Sequence, residues 1–124
     1  MEKEFVPYEL AVKLKALGFD KPCFGLYAPP SKTVFLHHYG LLTAKEQVLA
    51  PLYQQAFRWF REKYDLVSWV RRRPGFVKEY SWYVSDFNDE DPDEYYFDIH
   101  IETYEEAELA CLIKLLEIVE SEKK

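Results

Sequence analysis

Apolar residues recur at helical spacing in three segments of the chain, and this pattern predicts three α-helices. They are expected over residues 7–17, over about residues 51–64, and from the capping-box sequence at residues 103–106 onward. Gly18 follows the first helix and suits a left-handed cap, which Phe19 closes with an apolar contact. In the second helix the apolar stripe consists of Tyr53, Ala56, Phe57, Phe60 and Tyr64, with Trp59 off the stripe.

Runs of β-forming residues bounded by turn sequences predict five strands. They are expected at residues 23–28, 33–39, 67–73, 76–85 and 95–102. In the fourth strand, alternation places Trp82 and Val84 on one face and Ser81 and Tyr83 on the other. One hydrophobic core is expected to combine Tyr53, Phe57 and Phe60 with the strand face Phe97, Ile99 and Ile101 and the helix face Leu109, Leu112 and Leu116.

The order of the predicted elements is α-β-β-α-β-β-β-α, which is typical of the α+β class. The short turns between strands favour antiparallel hairpins. We therefore expect residues 1–124 to form a single α+β domain, with one antiparallel sheet of about five strands and three helices packed on one face. A chain of 124 residues can form such a core without disulfide or metal staples.

Charged residues are segregated along this chain, whose net charge is −6. All five arginines lie between Arg58 and Arg73, whereas residues 79–113 contain twelve Asp and Glu and no Lys or Arg. The net negative charge argues against a general nucleic-acid-binding protein. Aromatic residues make up 18% of the chain, more than one small core can absorb, so we also expect self-association.

The cysteine content and the first residues indicate a cytoplasmic protein. Cys23 and Cys111 are too few for a disulfide-stapled secreted domain, and they do not have metal-binding spacing. The charged start at residues 1–4 is unlike a signal peptide. No apolar run approaches the roughly 18 residues that span a bilayer. We therefore expect reduced thiols and no contact with a membrane.

Three blocks of sequence are similar to a known group of proteins. They are FVPYELA and LGFDKPCFG at residues 5–11 and 17–25, YQQAFRWFREKY at residues 53–64, and TYEEAELACL at residues 103–112. In these blocks the chain resembles a family of small uncharacterised proteins of gut Bacteroidales and of their phages and prophages. The resemblance implies a phage or prophage context, and it supplies no activity or site residue.

One group of residues could support catalysis. Asp98 and His100 are two residues apart on the fifth strand, near Tyr83 if the last strands pair, and could form an acid–base cluster. The alternative, which we favour, is the solvated polar face of a half-covered sheet. His37 and His38 are strand neighbours that point to opposite faces, so no metal site is expected. No cofactor is expected either, because nucleotide-binding and nucleophile-elbow motifs are missing.

The arginine cluster is the best indication of a binding site. Arg58 and Arg61 share one face of the second helix. Alternation along the third strand places Arg71 and Arg73 together with Trp69 on one side and Arg72 on the other. Guanidinium groups bind phosphates and carboxylates, and an indole ring stacks on a base. The predicted ligand-binding residues are Arg58, Arg61, Trp69, Arg71 and Arg73, unless these arginines pair with the chain's own acids.

Three functions follow from these patterns. The first is a non-catalytic binding or interaction module of phage or prophage type, whose partners are a second copy, a small anionic ligand or a host protein. A sharper alternative is a protein that sequesters a small anionic or nucleotide signal in counter-defence. The least favoured is a small hydrolase or nuclease that uses Asp98 and His100. We therefore expect a binding protein rather than an enzyme.

Overall fold

The computed structural model describes residues 4–21, 23, 25–27, 34–36, 48–72, 79–86 and 95–122. The elements in chain order are α1 (Tyr8–Ala16), β1 (Gly25–Tyr27), β2 (Val34–Leu36), β3 (Val48–Ala50), α2 (Tyr53–Tyr64), β4 (Leu66–Arg72), β5 (Tyr80–Asp86), β6 (Tyr95–Ile101) and α3 (Tyr104–Glu122). The chain divides into two compact units, Met1–Ala56 and Phe57–Lys124. The α+β class is confirmed. The expectation of a single domain stays a prediction.

The prediction of one five-stranded sheet is wrong, because the described strands form two antiparallel sheets of three. The first sheet has the order β2-β1-β3, so both edges of β1 are occupied by strands of the first unit. The missed strand is β3, which is too short for a period to be visible in the sequence. Residues 43–46, whose capping-box sequence Thr-Ala-Lys-Glu predicts a short helical turn, lie outside the described residues.

In the first unit, α1 packs against β3. At the end of β1, the Tyr27 hydroxyl donates a buried 2.7 Å hydrogen bond to the carbonyl of Val6. The Tyr8 ring meets the Tyr27 ring edge-on, with centroids 5.3 Å apart. The bond and the ring contact tie the segment before α1 to the first sheet. The buried side chains of α1 are Leu10, Ala11 and Leu14.

Helix α1 ends in the cap that the sequence predicts. Gly18 has a φ of 98°, a left-handed conformation that glycine adopts without steric cost. The N–H of Phe19 donates to the Leu14 carbonyl and that of Gly18 to the Lys15 carbonyl, both at 3.0 Å. These two bonds define a Schellman motif, and its apolar pair, Phe19 and Leu14, is buried. Pro7 is the N-cap residue rather than the first helical residue.

The apolar stripe of α2 is buried as predicted at Tyr53, Ala56, Phe57 and Phe60. Trp59, which lies off that stripe, is also buried. Its ring meets Phe60 and Tyr64 edge-on, and the Lys63 ammonium group lies 5.0 Å from its ring centroid. All of these contacts lie within α2. Because Trp59 is buried as well, the buried face of α2 is wider than the predicted stripe.

The second sheet has the order β4-β5-β6, and α3 packs against one face of it. Leu66, Trp82 and Val84 are buried on this face, which we call the helix-covered face. The predicted cap of α3 is confirmed, since the Glu106 N–H donates a 3.1 Å bond to the Thr103 hydroxyl. The buried side chains of α3 are Ala107, Glu108, Cys111, Leu112, Leu115, Leu116, Ile118 and Val119.

The register of β6 shifts by one residue, and this corrects the predicted core. Phe97 pairs with Tyr83, whereas Ile101 pairs with Tyr80. Tyr80 and Tyr83 lie on opposite faces of β5, so the shift places Phe97 and Ile101 on opposite faces as well. Phe97 is 57% exposed and is no core residue. The prediction failed because a β-bulge breaks the alternation from which the face was assigned.

Candidate functional site

Three aromatic rings, one from each strand of the second sheet, lie in a row. Trp69 is opposite Tyr83, and Tyr83 is opposite Phe97. The Trp69 and Tyr83 ring centroids are 5.0 Å apart with planes at 14°, and those of Tyr83 and Phe97 are 6.1 Å apart at 22°. These values describe offset stacking, the favoured geometry of aromatic pairs. We call Trp69, Tyr83 and Phe97 the aromatic row.

The aromatic row is accessible to solvent at both ends. Trp69 is 40% exposed and Phe97 is 57% exposed, while Tyr83 between them is half-buried. A single exposed apolar side chain is ordinary, but contiguous exposed rings mark a binding surface. The face of the second sheet that carries this row is therefore the leading candidate site, and we call it the aromatic face.

Arg71 lies on the aromatic face beside Trp69. The two residues are separated by one position on β4, so they share a face at a distance of about 7 Å along the strand. Arg71 is exposed and is opposite Ser81 on β5. Arg72 is opposite Tyr80 and belongs to the other face. The regular pairing of β4 with β5 thus keeps Trp69 with Arg71 and apart from Arg72, while Arg73 lies outside the described residues.

Arg58 and Arg61 occupy a different element, α2, and both are exposed. The Arg58 Nε atom lies 2.6 Å from the Glu62 carboxylate, one helical turn away. This hydrogen bond raises the pKa of Arg58. Arg58 therefore pairs with an acid of its own chain, which was the alternative to a ligand site. Of the five predicted site residues, the sheet brings together Trp69 and Arg71.

Ser81 gives the aromatic face a buried polar atom. Its side chain is fully buried opposite Arg71, and its Oγ has no hydrogen-bond partner among the described residues. A buried hydroxyl without a partner costs on the order of 1–3 kcal/mol. Ser68 Oγ and Trp82 Nε1 on the helix-covered face are buried without a described partner as well, so this feature of Ser81 does not distinguish the two faces.

Cys111 supports the aromatic row from the helix-covered side. Its Sγ lies 4.0 Å from the Tyr83 carbonyl and beside the Ser68 hydroxyl. Burial raises the pKa of the Cys111 thiol to about 12. The thiol is therefore protonated at neutral pH and inert as a nucleophile. Cys111 is thus a buried free thiol.

The register of β6 bears on the acid–base cluster of Asp98 and His100, which stays a prediction. Asp98 is opposite Trp82 on β5, which lies on the other face from Tyr83. The register shift falls between Asp98 and Ile101, so alternation no longer places His100 on the same face as Asp98. Within the described residues no group of three His, Cys, Asp or Glu side chains is positioned to hold a metal ion. His37 and His38 lie outside them.

Comparisons with other proteins add no family to these observations. No protein-family model, no curated protein and no solved structure matches this chain. In the part of the chain that the structure describes, no helix is long and apolar enough to cross a membrane. The aromatic face is therefore the feature of the described residues that best indicates a function.

Proposed function

We propose that this protein is a non-catalytic binding module of the phage or prophage type that its resemblance implies, and that it binds through the aromatic face. The observation that carries the proposal is the exposed aromatic row with Arg71 beside Trp69. Trp, Tyr and Arg are the residues that contribute most to binding free energy at protein surfaces. Here all three types occur within two neighbouring strands.

The side chains described on the aromatic face suit binding better than catalysis. They present aromatic rings and the Arg71 guanidinium, whereas Ser81 and Ser85 on this face are buried. General acid–base catalysis near neutral pH relies mainly on imidazole or on a carboxylate with a raised pKa. The Cys111 thiol on the helix-covered side is protonated and buried, so it supplies no nucleophile. We therefore favour stoichiometric binding over turnover.

A second candidate is a protein that sequesters a small anionic or nucleotide signal. Trp69 and Arg71 favour it, because together they offer an aromatic surface and a cation on one strand face. A sequestering protein needs affinity and slow release, and it needs no reactive group. It is thus a special case of the binding module, with a small molecule in place of a macromolecular partner.

A ligand screen with recovery of the ligands tests both candidates. The melting temperature of the wild-type protein is measured in the presence of nucleotides, sugar phosphates and dicarboxylates. The amount of each compound that remains intact is then determined. Ligand binding raises the melting temperature by mass action. We expect at least one class to do so and to be recovered intact. The Trp69→Ala/Phe97→Ala variant should lose most of the shift, whereas Val12→Ala, at a residue 40% exposed on α1, should keep it.

Two results would contradict the proposal. Conversion of any compound into a product would assign an enzyme instead of a binding module. An equal shift in the wild type and the Trp69→Ala/Phe97→Ala variant would place the binding site away from the aromatic face.

A further inference from the structure

We infer that the aromatic face binds a free mononucleotide, with the base packed on Trp69 and the phosphate bound by the Arg71 guanidinium. This inference rests on the proposed binding function and names its ligand class. It follows from the juxtaposition of an exposed indole and an exposed guanidinium on one face of β4. Neither residue type alone would specify such a ligand.

The spacing of the two groups matches the ligand. Residues two apart on a strand are separated by about 7 Å and point in the same direction. In a nucleotide the sugar separates the base from the phosphate by a comparable distance. Arg71 has a long side chain with a planar guanidinium, which donates two parallel hydrogen bonds to phosphate oxygens. Base and phosphate can therefore be bound at once by Trp69 and Arg71.

The other two rings of the aromatic row restrict the orientation of the Trp69 ring. Tyr83 stacks on one side of the indole and is itself stacked on Phe97, so the three rings are held nearly parallel. A ring whose orientation is already restricted loses less conformational freedom when a ligand packs against it. Tyr83 is thus a positioning residue. Its removal should weaken binding through Trp69 rather than through a contact with the phosphate.

Charge selects a mononucleotide over a polynucleotide. Arg71 is the only cationic side chain on the described part of the aromatic face, since Arg72 belongs to the opposite face. A nucleic-acid strand is bound by a series of cations along its backbone. The net charge of −6 and the twelve acids of residues 79–113 would repel a long polyanion. One guanidinium is sufficient for one phosphate group.

Isothermal titration of the full chain with AMP, GMP, CMP and UMP tests the inference. We expect micromolar binding of at least one mononucleotide. Adenosine, which lacks the phosphate, and ribose 5-phosphate, which lacks the base, should each bind at least about tenfold more weakly than AMP. An octathymidylate strand should bind no more tightly per site than the mononucleotide.

Variants connect the binding to the named residues. Trp69→Ala should weaken it about 5- to 150-fold, and Arg71→Ala about 10- to 150-fold. Arg71→Lys, which keeps the charge but loses the planar fork, should lose less than Arg71→Ala. Tyr83→Leu should weaken all four mononucleotides by a similar factor. The matched control is Arg58→Ala on α2, which should bind like the wild type, and circular dichroism verifies that each variant is folded.

The outcomes separate this inference from the proposed function. Failure of every mononucleotide to bind overturns the inference alone if another ligand class binds and is lost in the Trp69→Ala/Phe97→Ala variant. Mononucleotide binding that survives Trp69→Ala and Arg71→Ala overturns both, because the site is then elsewhere. Tighter binding of octathymidylate, with a steep salt dependence, would show that the ligand is a single-stranded nucleic acid instead of a mononucleotide.

Discussion

Trp69 and Tyr83 lie directly opposite each other on β4 and β5, and their rings are within 14° of parallel. The contact exists only because the two strands pair in this register. A shift of one residue would move one of the rings to the helix-covered face. The stack therefore reports on the register of the sheet as well as on the candidate site.

A double-mutant cycle measures this stack. The variants Trp69→Ala, Tyr83→Ala and their combination should show a coupling free energy of about 0.5–1.5 kcal/mol in urea unfolding. As a control, Trp69→Ala and Glu117→Ala should be additive, because α3 packs on the other face of the sheet. Additive effects of Trp69→Ala and Tyr83→Ala would show that the rings do not stabilise each other.

Phe57 and Phe97 should respond differently to truncation, although the sequence assigns both to the core. Phe57 is buried, so Phe57→Ala should lower the free energy of unfolding by about 3–5 kcal/mol through lost burial and a cavity. Phe97 is 57% exposed, so Phe97→Ala should cost less than about 1.5 kcal/mol. If denaturant unfolding showed equal losses of unfolding free energy in the two variants, Phe97 would be a core residue as the sequence predicts.

Gly18 should tolerate few replacements. At a φ of 98°, a Cβ atom adds steric strain, and Gly18→Ala should therefore cost about 1–2 kcal/mol. Gly18→Asn should cost less, because asparagine enters the left-handed region more readily. Thermal unfolding compares the two variants. A wild-type melting temperature for Gly18→Ala would show that the Schellman motif does not require a left-handed residue here.

The Cys111 thiol should make stability depend on pH in the alkaline range. Burial raises its pKa from the ordinary 9.0 to about 12, so between these values the unfolded state loses a proton that the folded state keeps. The folded state then binds more protons, and the free energy of unfolding falls as pH rises, by at most about 1.4 kcal/mol per pH unit. The contribution is fully present below pH 9 and is lost towards pH 12.

Cys111→Ala isolates this effect, because all other titrating groups are common to both proteins. The stability advantage of the wild type over Cys111→Ala, measured by urea unfolding, should shrink between about pH 8 and pH 11. A constant difference across that range would mean that the thiol is not desolvated in the folded protein.

Self-association remains a prediction from charge segregation. The arginines lie between Arg58 and Arg73, and residues 79–113 are acidic, so two copies can pair basic with acidic surfaces. Sedimentation at micromolar concentration should give a mass above that of one chain at low salt and a lower mass at physiological salt. Arg61→Glu should reduce the association. A monomer at both salt concentrations would disprove it.

Local patterns predicted much of the second unit and half of the site. The α2 stripe and the placement of Trp69 with Arg71 follow from periodicity within one element, and the Thr103 cap follows from the capping-box sequence. These features depend on residues a few positions apart, for which a helix or strand period is sufficient.

Features that depend on distant residues were not predictable in this way. The separation into two sheets follows from β3 pairing with β1, and β3 has only three residues. Tyr83 and Phe97 were missed as site residues because the aromatic row exists only through cross-strand register. The one available indication was Tyr83, which alternation places on the face of Ser81, away from the buried Trp82.

The extra residue in β6 divides one short strand into two parts that meet different requirements. Before it, Phe97 serves the surface on which binding is proposed, and after it, Ile101 belongs to the face that α3 covers. Substitutions at Phe97 can therefore retune recognition while the hydrophobic interior stays unchanged. Deletion of one residue between Phe97 and Ile101 would remove the register shift and bring both side chains to the same face of the sheet. This hairpin should therefore tolerate substitutions much better than changes in length.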